Sequence, residues 1–579
     1  MAKEKAKIGL PSVHIGNLVQ RIMILLMFTW FLIFLIMPMF MMFGQIFSDD
    51  HGNWVGLKNF VDYFHNPLLL SSIGHSLTIS LFTATVSTLI GLLYAYGVTR
   101  TNIRCKKLYQ HLALIPIFIP TMVHGMALIY LFGRTGLVTN YLNLNIGLYG
   151  KTGIIMALTI YCLPQAYMIL SVALDSADNR LYEAAEVMGS SPFRTFLRVT
   201  LPSIRYGLIN SFIVCFTMSF TDFGAPEVVG GSYGVLATDI YREVVGQQKM
   251  SMGAVVGVIL TIPALISFIL DLMMKKKNAR NELSSKAVAF EPVESKGRDI
   301  FYQIFCTLVV LFFLVLIGTI AMSAFVNVWP YDMSFTWKHF NFGAALHGTG
   351  VISFVNSIKL SLGTALIGTV LVFCFAYLIE KGRTFRRLSG VCRFLSMMPM
   401  ALPGLVLGLG YIMFFNKPWI EIPFLQIAVE NSFSGLYGTF MIMIYCTIIH
   451  LFSVTYVTAS TALKKLDREY ENVAESMSVP FWKVFARVSL PMCINAILEI
   501  FIYFFVNAMV TVSAVVFLYT AQSKPASIAI LNMDDNGDYA AAAAMSILIF
   551  LINVTVRTLY EFVNAFLKRK LDRWKIKST

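Results

Sequence analysis

Charge is what this sequence has least of. Only 13% of its 579 residues are Asp, Glu, Lys or Arg, against 57% hydrophobic. A soluble chain of that length cannot cover so much apolar surface with so few charges, so a water-soluble globular fold is excluded. Paired cysteines are missing as well. The eight cysteines, at 105, 162, 215, 306, 374, 392, 446 and 493, contain no C-x-x-C spacing, so neither a disulfide framework nor a zinc site is indicated. No cleavable signal peptide is apparent: the start is basic (Lys3, Lys5, Lys7), and the first apolar run, about 22–47, is too long for a signal core. A phosphate-binding loop is also absent. Gly150-Lys151-Thr152 looks like the end of one, but the glycine required five residues before Gly150 is Asn145. No convergent catalytic set appears, and the chain reads as not an enzyme.

What the sequence has is apolar runs of about 20 residues or more, long enough to span a hydrocarbon core roughly 30 Å thick. They are continuous rather than alternating, which selects helices over a barrel. Spans fall near 22–47, 75–99, 108–132, 152–175, 203–222 and 251–274, then 301–326, 352–379, 393–415, 435–462, 491–519 and 541–567. Of the 45 Lys and Arg, 35 lie in one alternating set of connecting segments and 8 in the other, with Lys359 and Arg557 inside spans. That bias puts the first set, both termini included, in the cytoplasm. It also explains the net charge of +14 as topology, so no nucleic-acid partner is expected.

The chain repeats itself. His75-Ser76-Leu77-Thr78-Ile79-Ser80-Leu81 matches Asn356-Ser357-Ile358-Lys359-Leu360-Ser361-Leu362. Tyr94-Ala95-Tyr96 matches Phe375-Ala376-Tyr377, and Pro116-x3-Pro120-x4-Gly125 matches Pro399-x3-Pro403-x4-Gly408. Six spans per half is an even number, so both halves insert the same way up, as a parallel repeat. The expected organisation is a first half over 1–274, a polar cytoplasmic linker over 275–300 with little order, and a second half over 301–579. The prolines with nearby glycines either break helices along a pathway or are packing kinks.

The most specific repeat is a cytoplasmic loop. Glu183-Ala184-Ala185-Glu186-Val187-Met188-Gly189 is followed, nine residues on, by Val199-Thr200-Leu201-Pro202. Asn472-Val473-Ala474-Glu475-Ser476-Met477-Ser478 is followed at the same spacing by Val488-Ser489-Leu490-Pro491. The alanines favour helix and leave a smooth surface. Gly189 lets the chain turn and a partner approach closely. Ser191 can cap the next short helix, with Pro192 at its first position. The second copy departs at Asn472, Val473 and Ser478, which suggests two contacts that are not equivalent.

This pattern resembles the E-A-A-x3-G-x9-I-x-L-P loop of ABC-importer permeases. The resemblance implies an all-α membrane protein of about 12 transmembrane helices in two parallel six-helix permease halves, the type I importer fold. It implies a bacterial cell membrane, two copies of a separate cytoplasmic ATPase using ATP and Mg, an extracytoplasmic substrate-binding protein, and no cofactor in this chain. The coupling residues carried over are Glu183, Ala184, Ala185 and Gly189, and Asn472, Val473, Ala474, Glu475 and Ser478. Alternating access is the implied mechanism.

Polar residues in or at the ends of spans are pathway candidates. Lys359 either lines the path or snorkels, Asp222 lines an outer vestibule or marks the interface, and Asn507 lines the path or bonds a neighbouring helix. His124 and His450 are lone imidazoles, and no metal site is expected. Two outer stretches, Thr221-Asp222-Phe223-Gly224-Ala225-Pro226 through Gln248, and Phe505-Val506-Asn507-Ala508-Met509 through Asp535, resemble permeases for 2-aminoethylphosphonate. A phosphonate is therefore the expected substrate, with ferric iron the alternative. A twelve-span secondary transporter is the rival class, but its major-facilitator form wants an acidic residue in the loop after the second span, and 99–107 has none.

Overall fold

A computed structural model of the protein describes residues 10–282, 290, 292, 294–342, 350–422 and 427–578. They are nearly all helical. Among the described residues, nine helices are long and apolar enough to cross a membrane: Gly16–Gln45, Pro67–Arg100, Lys151–Asp175, Pro192–Thr221, Met250–Met274, Lys296–Phe325, Gly350–Lys381, Phe440–Lys464 and Tyr539–Phe566. Counting each of three sharply bent pairs as one span gives twelve, the expected count.

The helix Pro67–Arg100 shows how the sequence sets the packing. Asn66 caps it by accepting the Leu68 N–H at 3.1 Å, and Pro67 holds the first helical position. Ser72, Ser76, Ser80, Thr83 and Ser87 recur every three or four residues and are buried, while Leu77, Leu81 and Leu89 on other faces are exposed. Small hydroxyl residues let helices approach where lipid offers no hydrophobic drive. The exposed leucines suit hydrocarbon. The helices Lys151–Asp175 and Leu201–Thr221 pack against this one.

Two bends follow from proline. Ile119 is extended (φ −127°, ψ 139°) ahead of Pro120, and Leu402 is extended (φ −104°, ψ 119°) ahead of Pro403. A residue before proline is pushed out of the helical region, so each span breaks there. The bends are 98° between Lys106–Phe118 and Thr121–Leu142, and 113° between Arg386–Ala401 and Gly404–Phe415. The third bend, 77° between Phe481–Met492 and Ile494–Val510, has no equivalent in the continuous helix Pro192–Thr221.

Three details differ from expectation. The span expected over 491–519 is helical only to Val510, and Thr511 is extended. The linker begins as helix, because Met250–Glu282 runs on past the membrane segment; residues 283–289, 291 and 293 lie outside the described set. Short antiparallel strand pairs also occur, Val326–Val328 with Asp332–Phe335 and Trp419–Ile422 with Ile427–Glu430.

The described residues gather into two compact units. One draws on 46–350 and 527–548, the other on 1–45, 351–526 and 549–579. The helix Lys296–Phe325 therefore belongs with the earlier spans, and the N-terminal helix with the later ones. In the first unit the Asn102 N–H donates to Asp299 at 3.3 Å and the Arg104 N–H to Gln303 at 2.9 Å. In the second, Gln20 accepts from the Arg383 N–H at 3.4 Å and the Thr384 hydroxyl at 2.8 Å.

Candidate functional site

Each E-A-A-like segment is a short helix closed by the same turn. The first coupling helix, Asn179–Val187, ends with Gly189 at φ +67°; Ser190 N–H donates to Ala185 O at 2.9 Å and Gly189 N–H to Glu186 O at 2.8 Å. The second, Glu469–Ser476, ends with Ser478 at φ +56°; Val479 N–H donates to Ala474 O at 2.8 Å and Ser478 N–H to Glu475 O at 2.9 Å. This is a Schellman closure in both copies. Ser478 thus occupies a left-handed conformation that glycine adopts at no steric cost. Ser191 then caps Pro192–Thr195 by accepting the Arg194 N–H at 3.4 Å.

The turns are exposed and apolar. Val187 is 89% and Met188 78% exposed, with Phe193 beyond them; Val473 and Met477 are exposed in the second copy. The two alanines differ: Ala184 is exposed, but Ala185 is buried and faces its own unit, so only one of them contributes to a smooth outer surface. Glu183 accepts from the Asn179 amide at 2.8 Å, and Glu186 and Gly189 are exposed. In the second copy Arg383 binds both Glu475 and the Asn472 carbonyl. Asn472 and Val473 are exposed, and Ala474 and Ser478 half-buried.

Behind each of these short helices lies a buried cation. Arg100 ends one long helix and donates to Leu174 O. Lys381 ends another and donates to Leu466 O at 3.0 Å. Arg100 is 1% exposed, and the Lys381 side chain 4%. Arg100 stacks on Tyr182 with its Cζ 4.8 Å from the ring centre, whereas Lys381 pairs with Glu471 at 3.2 Å. The signal was present: extending the Tyr94/Phe375 match by six residues aligns Arg100 with Lys381, and the loop match aligns Tyr182 with Glu471.

The pathway candidates fall in both compact units, Asp222 in one and Lys359 and Asn507 in the other. Lys359 is exposed on Gly350–Lys381, on a stripe with the exposed Ile352, Val355, Leu362 and Leu366. Asp222 accepts the Ala225 N–H at 3.0 Å and so caps the short helix Gly224–Val229. The Asn507 amide donates to Tyr503 O at 2.8 Å, one turn back in its own helix rather than to a neighbouring one.

The outer segments meet the proline breaks. A Cβ on Gly224 would come within 2.4 Å of the Thr121 hydroxyl, just past Pro120. A Cβ on Gly404, just past Pro403, would come within 2.5 Å of the Ser513 hydroxyl. Ser76 accepts the Leu236 N–H at 2.9 Å, and its repeat partner Ser357 accepts the Ala526 N–H at 2.7 Å. Each bond caps the start of a helix, Leu236–Tyr241 and Ala526–Asp535. Burial and the charge of Asp535 push the carboxyls of Glu227 and Asp534 up to about 7 each. Among the described residues no three His, Cys, Asp or Glu side chains form a metal-holding group.

The family described as "Binding-protein-dependent transport system inner membrane component" matches residues 87–280 and 372–569, more than half of the chain. The ferric transport system permease protein FbpB of Actinobacillus pleuropneumoniae is 28% identical over 541 residues, 92% of this chain and 76% of that protein. A putative ferric transport system permease of Haemophilus influenzae is 28% identical over 85% of this chain and 76% of that protein. The spermidine/putrescine permease PotB of Haemophilus influenzae, 24% identical, covers 46% of this chain and 99% of its own length. With both halves matched, this chain belongs to the binding-protein-dependent transport system inner membrane component family.

Proposed function

We propose that this chain supplies both membrane halves of an ATP-driven, binding-protein-dependent importer, and that one cytoplasmic ABC ATPase docks on each coupling loop. It is a multi-pass membrane protein of an ABC-importer permease family. The observation that carries the docking reading is the duplicated Schellman turn with Val187 and Met188, and Val473 and Met477, exposed beside it. In this reading the halves are 1–274 and 301–579 with a linker over 275–300, and both termini and both loops are cytoplasmic. A binding protein delivers substrate outside, and ATP and Mg belong to the ATPase. Movement of the loop helices shifts the equilibrium between inward- and outward-open states, as differential contacts must.

For the substrate, ferric iron is the reading better supported. Relatives aligning over both halves are ferric transport permeases. When ionised, the carboxylates Glu227, Asp534 and Asp535 would favour a cation. The phosphonate reading rests on the two outer stretches around 221–248 and 505–535, whose Asp222 and Gly224 have structural work. Lys359, among exposed apolar residues, suits a snorkelling anchor better than an anion path.

Gly189→Arg tests the docking reading. The Gly189 Cβ position meets nothing within 4 Å, so the bulk projects into open space where a partner would sit. Uptake should fall while membrane insertion persists, and Ser478→Arg should cost less. Parental uptake by Gly189→Arg with the ATPase bound contradicts the reading. Titrating the cognate binding protein with ferric iron and with 2-aminoethylphosphonate decides the substrate.

A further inference from the structure

Arg100 is almost wholly buried, yet its Nε and Nη1 have no hydrogen-bond partner. Its Nη2 donates to Leu174 O and the Asp175 charge favours it, but a buried guanidinium with two unbonded nitrogens is still costly unless something else meets it. Two aromatic faces do so. The guanidinium carbon lies 4.8 Å from the Tyr182 ring centre and 4.0 Å from that of Phe290, and the two rings are edge-to-face at 5.0 Å. Tyr182 is on the first coupling helix. Phe290 is in the segment that joins the two halves.

Pro292 and Ser295, close in sequence to Phe290, are each hydrogen-bonded. The Asn102 amide donates to Pro292 O at 3.1 Å. Asp299 accepts the N–H of Asn102 at 3.3 Å and of Ser295 at 3.1 Å. In the second unit the same place is built differently. Lys381 is satisfied by Glu471 and Leu466 O, and a pocket of about 90 Å³ opens beside it, lined by Tyr377, Arg383, Glu475 and Pro480 among others.

We propose that Phe290 is a working part of the first coupling site: it closes the Arg100–Tyr182 pair and fixes helix Asn179–Val187 against the end of helix Pro67–Arg100. Phe290 is a positioning residue, acting through Arg100 and Tyr182. The link between the halves is then not a passive tether, and only the first loop depends on it. The proposal rests on the reading that this loop couples to an ATPase.

Phe290→Ala, Phe290→Leu and Phe290→Trp, each in the full transporter with its ATPase, test it. Hydrogen exchange reads the helix directly. With Ala, amides of 179–187 should exchange about fivefold faster or more, and those of 469–476 should not change. Substrate imported per ATP hydrolysed should fall severalfold. Trp should restore both, because it offers a π face; Leu should not, although it fills similar space. Parental exchange at 179–187 with Ala, or restoration by Leu as full as by Trp, overturns the proposal. If Ala fails to assemble, the Leu-against-Trp comparison decides. Cross-linking Met188→Cys to the ATPase in otherwise parental protein tests the docking reading separately: its absence removes that reading, while the exchange data still decide whether Phe290 holds the helix.

Discussion

Lys381 Nζ stands 3.2 Å from the Glu471 carboxylate, at the repeat position where the first half sets Arg100 against Tyr182. The same mechanical task, holding a coupling helix to the end of a long helix, is met by an ion pair in one half and by a cation on an aromatic ring in the other. A buried pair is screened little by salt, and removing one partner strands the other. A double-mutant cycle with Lys381→Met and Glu471→Gln should give a coupling energy of roughly 1–3 kcal/mol. The control cycle of Arg100→Met with Glu471→Gln should give none. Thermal melts of the purified transporter measure both, and additivity in the first cycle contradicts the pair's role.

Ser478→Gly should stabilise the second coupling turn. A non-glycine residue at φ +56° carries a left-handed cost that glycine lacks, partly offset by glycine's larger chain entropy, leaving about 1 kcal/mol. Gly189→Ala should destabilise by a similar amount through φ alone, since its Cβ meets no neighbour. Slower hydrogen exchange at 469–476 in Ser478→Gly is the check, and faster exchange there contradicts the reading of the turn.

Gly224→Ala should reduce stability and uptake, because the new methyl falls 2.4 Å from the Thr121 hydroxyl. The second half places glycine on the opposite side of the equivalent contact, Gly404 facing Ser513. Thr121→Gly added to Gly224→Ala should therefore recover most of the loss. A double variant as impaired as the single one shows that the contact is not the cause.

The outer carboxylates should make stability depend on pH. Burial and Asp535 raise Glu227 from about 4.5 to about 7, with Arg242 opposing. Asp534 rises from 3.8 to about 7 through burial and Asp535. Between the ordinary and raised values the folded state holds more protons, so stability falls as pH rises through that window. Glu227→Gln and Asp534→Asn should melt higher than the parent at pH 8 and equal to it near pH 4.5. Equal melting at both pH values shows that neither carboxyl is perturbed.

The spans and the two repeated turns were legible because each depends on local chemistry: continuous apolar length and a turn with fixed spacing. The prolines were seen but left open between helix breaks and packing kinks; the breaks at Ile119 and Leu402 follow because proline acts on its own neighbour. Long-range partners were not legible. Nothing around Gln20 or Asp299 says which loop each will bind, and an apolar span has no preferred partner readable from its own residues. Asp222 was read as lining an outer vestibule or marking the interface; its acceptance of the Ala225 N–H, at the start of a helix too short to show periodicity, was not readable. Arg100 and Lys381 were visible as a repeat but read only as topology signals, and Phe290 lay in a segment whose polarity suggested no packing at all.

The central claim is that one chain carries two ATPase docking sites. Native mass measurement of the transporter purified from membranes tests it most directly. The account predicts one copy of this 579-residue chain with two copies of an ATPase and no second permease chain. A complex of one chain with one ATPase, or of two chains with two ATPases, would contradict it.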